Sequence, residues 1–289
     1  MKEQDCIRRF IFEQLGLRGE WVRLQKSWEK TKQHQLLPEP AQELLGQALT
    51  ASVLLSETIK FKGALILQAQ GNGPIKTLVT QTTHDRKIRG LVRCNDQVTE
   101  GDLSSLMGEG RLVITVEPER GEPYQGIVSL EGNSLSDAIC TYFLQSEQLQ
   151  TRVWLFANET HAAGLLIQEL PGQKEYKEDW ERVLALANTI TKNEMLQLNS
   201  EEILYRLFNE EKVRLFEPET IEFSCTCSRN KIEKTLLAMG RSELEDILKE
   251  RELIEVNCEF CSEYFCFDKI DIENLLTGKA MGNRSGLHH

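Results

Sequence analysis

The chain has 289 residues, of which 27% are charged and 40% hydrophobic, with a formal net charge of -11. That length exceeds what one compact core needs and predicts a larger domain plus a smaller module. The acid surplus argues against nucleic acid or an anionic membrane as the main partner, because both are bound through surplus Lys and Arg. No opening stretch reads as a leader and no window approaches the roughly 20 apolar residues of a membrane span, so a cytoplasmic chain is expected.

Residues 38–60 place Leu44, Leu45, Ala48, Leu49, Val53 and Leu55 near one stripe and predict a core helix. Short β-rich runs follow at 63–70, 75–83 and 88–94, with Gly71-Asn72-Gly73-Pro74 as a turn. Residues 111–117 and 124–130 predict a hairpin, 134–148 a helix, and the surroundings of Val153 and Leu165 two further strands. The fold class expected is α+β: a mainly antiparallel sheet domain with helices over residues 1–175, closed by Leu170-Pro171-Gly172-Gln173.

Residues 176–224 predict an amphipathic helical linker. Trp180, Val183, Leu184, Ala187 and Ile190 share a stripe, and Asn199 with Glu202 makes a capping box before Ile203, Leu204, Leu207 and Phe208. Residues 178–222 hold 11 acidic and 5 basic side chains. Helices of this kind need an apolar support, and the first domain is the natural one.

Three of the eight cysteines, Cys6, Cys94 and Cys140, are isolated and read as small buried hydrophobes. The other five fall between Cys225 and Cys266. Cys225-Thr226-Cys227 and Cys258-Glu259-Phe260-Cys261 stand at two ends of a short stretch, which is the spacing of a four-thiolate zinc site with sulfur about 2.3 Å from the metal. Residues 225–289 therefore predict a small zinc-binding module with one Zn2+ held by Cys225, Cys227, Cys258 and Cys261. Cys266, between Phe265 and Phe267, reads as a core residue of a β-like run. Two helices are expected between the cysteine pairs, at 231–239 and 242–253, separated by Gly240.

A module of this size seldom draws more than about 3 to 5 kcal/mol from its apolar core. Structural zinc contributes about 10 to 16 kcal/mol, so its loss would unfold the module. Zinc also keeps cysteines as thiolates, and each has a neighbour two or three positions away that can resolve a sulfenic acid to a disulfide. Spacing alone leaves a permanently structural zinc centre and a redox switch both open. A zinc-stabilised nucleic-acid binder is the alternative suggested by two helices beside zinc, although residues 225–289 carry 9 basic against 12 acidic side chains. The Cys258–Cys261 motif also admits a thiol oxidoreductase, but without a thioredoxin-like βαβ context.

The chain resembles the bacterial redox-regulated holdase family known as the 33 kDa chaperonins. The likeness spans nearly its whole length: Gly126-Ile127-Val128, the run from Tyr142 through Leu149, Ala162-Ala163-Gly164-Leu165-Leu166, and Leu204-Tyr205-Arg206-Leu207-Phe208. Its most specific parts are Phe216-Glu217-Pro218, Cys225-Thr226-Cys227-Ser228-Arg229 and Cys258-Glu259-Phe260-Cys261. The resemblance implies a non-enzymatic, ATP-independent chaperone of oxidative stress, inactive while reduced and zinc-bound. It implies that oxidation joins Cys225 to Cys227 and Cys258 to Cys261, releases zinc, loosens the helical linker and lets unfolding client proteins bind to a homodimer. The absence of a G-x-x-x-x-G-K-[ST] loop agrees with ATP independence. Cys266 departs from the family pattern, in which an apolar residue is expected.

Overall fold

A computed structural model describes residues 4–59, 62–170 and 177–277. Two compact units result, one running to Ser224 and the other beginning at Cys225. The boundary expected near residue 175 lies outside the described residues, as does the end of the first core helix at residue 60.

The first unit opens with a hairpin of β1 (Cys6–Phe12) and β2 (Leu17–Leu24), which sequence patterning did not anticipate, followed by α1 (Lys26–Lys32) and α2 (Glu39–Thr58). The meander β3 (Gly63–Gly71), β4 (Ile75–Thr83) and β5 (Lys87–Cys94) comes next, then α3 (Leu103–Met107), β6 (Gly110–Pro118) and β7 (Tyr124–Ser129). After α4 (Leu135–Tyr142) the chain makes β8 (Thr151–Ala157) and β9 (Ala162–Glu169), the helices α5 (Lys177–Ala187), α6 (Lys192–Gln197) and α7 (Ser200–Phe208), and the short strands β10 (Val213–Leu215), β11 (Glu219–Thr220) and β12 (Glu222–Phe223).

Two six-stranded sheets form, in the orders β10-β1-β2-β9-β8, with β11 also on β1, and β12-β5-β4-β3-β6-β7. Every pairing is antiparallel except β12 on β5. This is the expected α+β class. Helix α2 packs against strands of both sheets, and Leu45, Ala48, Leu49, Ala51, Val53 and Leu54 are all fully buried. A helix apolar on every side belongs in the middle of a core rather than on its surface.

The first sheet is covered on both faces. Ile7, Val22, Leu24 and Leu166 join the α2 core, whereas Phe10, Phe12, Leu17, Trp21, Leu165 and Ile167 point to the opposite face. Strand alternation sends neighbouring side chains to different cores, and both are apolar here. Gly19 pairs with Phe10 in register, and a Cβ there would lie 2.1 Å from Phe10 Cζ, so the ring takes the space of the missing side chain.

Helices α5, α6 and α7 close that second core with Trp180, Val183, Ala187, Ile190, Met195, Ile203, Leu207 and Phe208. The anticipated capping box is present: Asn199 Oδ1 accepts from Glu202 N at 2.9 Å and Glu202 Oε2 from Asn199 N at 2.9 Å. The acidic helices therefore have the support they require.

Two expected helices end early. The run over 134–148 is α-helical only to Tyr142 and continues as a π-helical turn, Phe143–Glu147, which Gln148 ends in left-handed conformation at φ 53. In the second unit, α8 (Arg229–Met239) is followed by α9 (Arg241–Glu250), which stops before 253 because Arg251 is extended and Leu253 opens a strand. That strand, β13 (Leu253–Asn257), pairs antiparallel with β14 (Tyr264–Asp268), and α10 (Lys269–Leu276) follows under a capping box of Asp268 and Asp271. Among the described residues the core of the second unit holds just five buried apolar side chains, Leu236, Leu244, Ile254, Phe267 and Ile272. Cys266 is not one of them. Alternation on β14 turns Phe267 and Phe265 toward this core and puts Cys266 on the other face with Tyr264, which corrects its expected core role.

Candidate metal centre

Cys225 and Cys227 lie in the loop between β12 and α8, and Cys258 and Cys261 in the turn between β13 and β14. Each loop has its own local reason to hold its shape. Ser228 caps α8 by accepting from Lys231 N at 3.3 Å, which fixes the chain just beyond Cys227. In the hairpin turn, Cys258 N donates to Glu263 O at 2.9 Å and Ser262 N to Cys258 O at 2.7 Å, with Ser262 left-handed at φ 56. The turn wraps Cys258 and Cys261 around one point.

Arg229 ties the first loop to the elements that follow the second. Its guanidinium donates to Cys266 O at 2.9 Å and to Asp271 Oδ2 at 2.8 Å, pairs with Glu233 at 3.3 Å, and stacks over the Phe267 ring at 4.2 Å. One side chain thus ties the start of α8 to β14 and α10. The family resemblance includes this residue in the Cys225-Thr226-Cys227-Ser228-Arg229 run, but nothing in the sequence pattern indicates its tie to β14 and α10. Replacing Arg229 with alanine is expected to weaken zinc binding on the order of 10-fold, as loss of groups that orient ligands usually does. Chelator competition checks this, and unchanged affinity would mean the loops hold together without it.

The four sulfurs converge within 4.8 Å of one another. Cys225 Sγ and Cys258 Sγ are 3.6 Å apart, and Cys227 Sγ and Cys261 Sγ 3.4 Å. A tetrahedron with metal–sulfur bonds of about 2.3 Å has sulfur–sulfur edges of about 3.8 Å, so the set is close to the size a zinc ion requires. These two contacts run between the loops, Cys225 to Cys258 and Cys227 to Cys261. All eight cysteines are free thiols in this structure, and Cys6, Cys94, Cys140 and Cys266 stand outside the cluster.

Burial pushes the Cys227 thiol well above its ordinary range, and hydrogen bonding to Cys261 and Cys225 adds to the effect. Cys261 is pushed up to about 11, again chiefly by burial, with the backbone of Glu263 acting in the opposite direction. Thiolates gathered this closely repel one another, and a cation among them removes that conflict. The donors are all soft sulfur, which favours zinc over hard cations such as magnesium or calcium. Four cysteines are thus positioned to hold a metal ion, consistent with zinc.

Among the described residues no helix is long and apolar enough to cross a membrane. Comparison with known proteins is decisive about kinship. The family model described as Hsp33 protein matches residues 5–268. A 33 kDa chaperonin of Nitrosococcus oceani is 53% identical over 289 residues, covering both chains completely. One from Shewanella loihica is 42% identical over 273 residues, 94% of this chain and 96% of its own. The crystal structure of a 33 kDa chaperonin (heat shock protein 33 homolog) from Thermotoga maritima superposes with a TM-score of 0.81 at 25% identity, covering 95% of this chain and 99% of that one. With a full-length relative above half identity and a family model over nearly all its length, the chain belongs to the Hsp33 family of chaperones.

Proposed function

We propose that this chaperone is a redox-regulated, ATP-independent holdase of the cytoplasm that is inactive when reduced and is switched on by oxidation of Cys225, Cys227, Cys258 and Cys261. The observation that carries the reading is the convergence of four sulfurs in a module with five buried apolar residues. One bound Zn2+ per chain would hold these sulfurs as thiolates and supply most of the module's stability.

The cysteines themselves perform the switching chemistry. A thiolate attacks hydrogen peroxide, forming a sulfenic acid and releasing hydroxide; the partner thiol then displaces water to make the S–S bond. Each disulfide thus sends two electrons to one peroxide. The pairing we propose is Cys225 with Cys227 and Cys258 with Cys261. Across-loop contacts of 3.4 and 3.6 Å are present in the folded module, but once it loosens, partners two or three residues apart close the smallest loops and meet most often. Disulfide sulfurs are far poorer ligands than thiolates, so oxidation and metal loss are one event.

In functional terms we divide the chain into a core over 1–175, a linker over 176–224, helical only as far as Phe208 and continued by the short strands β10, β11 and β12 where the sequence predicts helix, and a switch module over 225–289. The linker helices cover Phe10, Phe12, Trp21, Leu165 and Ile167, and their release would bare an apolar face for unfolding client proteins. The active form is proposed to be a homodimer. Its action on clients is binding, not catalysis.

Peroxide at mildly elevated temperature is expected to release about one zinc per chain and to suppress aggregation of an unfolded client, both reversed by thiol reductant with zinc. Peptide mapping of the oxidised chain should find the two short-range disulfides. Zinc release without client protection would refute the holdase reading. Salt-dependent nucleic-acid binding by the reduced chain would favour the alternative, a zinc-stabilised nucleic-acid binder.

A further inference from the structure

Residues 213–223 form a strap across the ends of both sheets of the first unit. Strands β10 and β11 lie antiparallel on β1, and β12 lies parallel on β5. Without them β1 and β5 would be the terminal strands of their sheets, each presenting a row of unpaired N–H and C=O groups. The three pieces have three, two and two residues, too few to persist by themselves.

The strap is held by main chain. Phe216 N donates to Arg9 O at 2.9 Å, Ile221 N to Asp5 O at 2.8 Å, Glu222 N to Arg86 O at 3.1 Å and Ser224 N to Ile88 O at 3.0 Å. Of the side chains from 213 to 224, only Ile221 is buried. Its other anchors are the Glu219 carboxylate, which accepts from Arg9 at 2.7 Å and from Arg86, itself paired with Glu57 at 3.0 Å, the side chains of Arg8, which donates to Phe216 O at 2.9 Å, and Ser27, which accepts from Phe223 N at 3.2 Å, and the partly buried Val213 and Leu215.

This differs in kind from how the preceding helices are held. Val183, Ile203 and Phe208 fit a particular apolar surface, whereas main-chain bonding to a sheet edge is indifferent to side-chain identity. Any extended polypeptide can make the bonds the strap makes. The last of them is at Ser224, one residue before the first sulfur ligand, so the strap runs directly into the segment whose cysteines carry the redox chemistry.

We propose that the β1 and β5 edges are a client-binding surface, occupied by the strap at rest and taken over by an extended segment of an unfolded polypeptide in the oxidised state. Strand addition supplies the sequence-independent part of recognition. Arg9 and Arg86, left behind by Glu219, favour a segment with an acidic residue at that position. The inference rests on the redox-holdase reading and adds to it where, and in what conformation, the client is held.

The test uses the full-length oxidised chain, after its suppression of client aggregation has been measured alone. A synthetic peptide of residues 213–224 is then compared with the same peptide N-methylated at Phe216, Ile221 and Glu222. The unmodified peptide is expected to bind and to abolish client protection, and the methylated one to bind about 100-fold more weakly, the consequence of three lost hydrogen bonds. Hydrogen exchange should show strap amides protected in the reduced chain, exposed on oxidation, and still exposed in the client complex while β1 and β5 are covered. Equal binding of both peptides, binding of neither, or strap amides protected in the client complex would overturn the edge proposal while leaving a working holdase. Absence of protection before any peptide is added would overturn the holdase reading itself, and the edge proposal with it.

Discussion

Replacing Cys261 with serine is expected to unfold the second unit and leave the first one folded. Cys261 Sγ is 3.4 Å from Cys227 Sγ and within 4.8 Å of the other two sulfurs, so its loss removes one corner of the cluster. A neutral serine oxygen is a poor ligand for zinc, and three thiolates should hold the metal at least about 100-fold more weakly, beyond the 10-to-100-fold range of losing a supporting group. The module has little else to rely on. Its core of five buried side chains belongs to a size class that yields about 3 to 5 kcal/mol, against about 10 to 16 kcal/mol for structural zinc. Two readouts check the result. Zinc should pass to a chromogenic chelator under conditions where the wild-type chain retains it. Limited proteolysis should then cut within residues 225–277 and spare a large fragment ending near Ser224. Tight zinc retention, or a protease-resistant module without zinc, would show that Cys261 is not a ligand or that the apolar core is self-sufficient.

The same elements explain what the sequence disclosed and what it withheld. The convergence of the four cysteines was legible because each pair is close along the chain as well as in space. The Arg229 tie to Cys266 and Asp271 was not, since it joins positions 37 and 42 residues apart and carries no local pattern. Helix α2 and the meander from β3 to β5 stood out through periodicity and through the breakers around them. The β1–β2 hairpin escaped because its alternation is blurred: apolar side chains fill both faces, and the polar residues Arg8, Glu20 and Arg23 are also buried. Cys266 was misplaced for a related reason. A run of three apolar-looking residues, Phe265, Cys266 and Phe267, reads as uniformly buried until strand alternation is imposed on it. The strap lay below the reach of any pattern, because strands of two or three residues have no period to detect.

Stability of the first unit is expected to fall between about pH 5 and pH 8, and replacing Glu20 with glutamine should abolish most of that fall. Glu20 sits on β2, paired with Arg9 on one side and Leu166 on the other, 2% exposed, with Oε2 lacking a hydrogen-bond partner among the described residues. Burial raises its pKa to about 8, assisted by the nearby Glu57 carboxylate and opposed by Arg18 and Arg9. These arginines do not neutralise it, because each has another acceptor: Arg18 donates to Gln168 Oε1 at 2.5 and 3.1 Å and to Thr58 O at 3.3 Å, while Arg9 donates to Glu219. The sign follows from the folded value lying above the unfolded one of 4.5. Below pH 4.5 the carboxyl is protonated in both states and imposes no ionisation cost; above it the unfolded chain ionises and the folded chain does not, until about pH 8. Each pH unit in that window removes about 1.4 kcal/mol, or about 4 kcal/mol by pH 8 as an upper bound. Glutamine keeps the shape without the charge, so Glu20→Gln should match the wild-type chain near pH 5 and exceed it by several kcal/mol at pH 8. Urea midpoints of the reduced, zinc-bound protein across pH 5 to 9 provide the measurement, with the first unit followed by Trp21 and Trp28 fluorescence. Parallel pH profiles for the two chains would mean that Glu20 ionises in the folded state, with Arg18 or Arg9 turned toward it rather than toward Gln168 and Glu219.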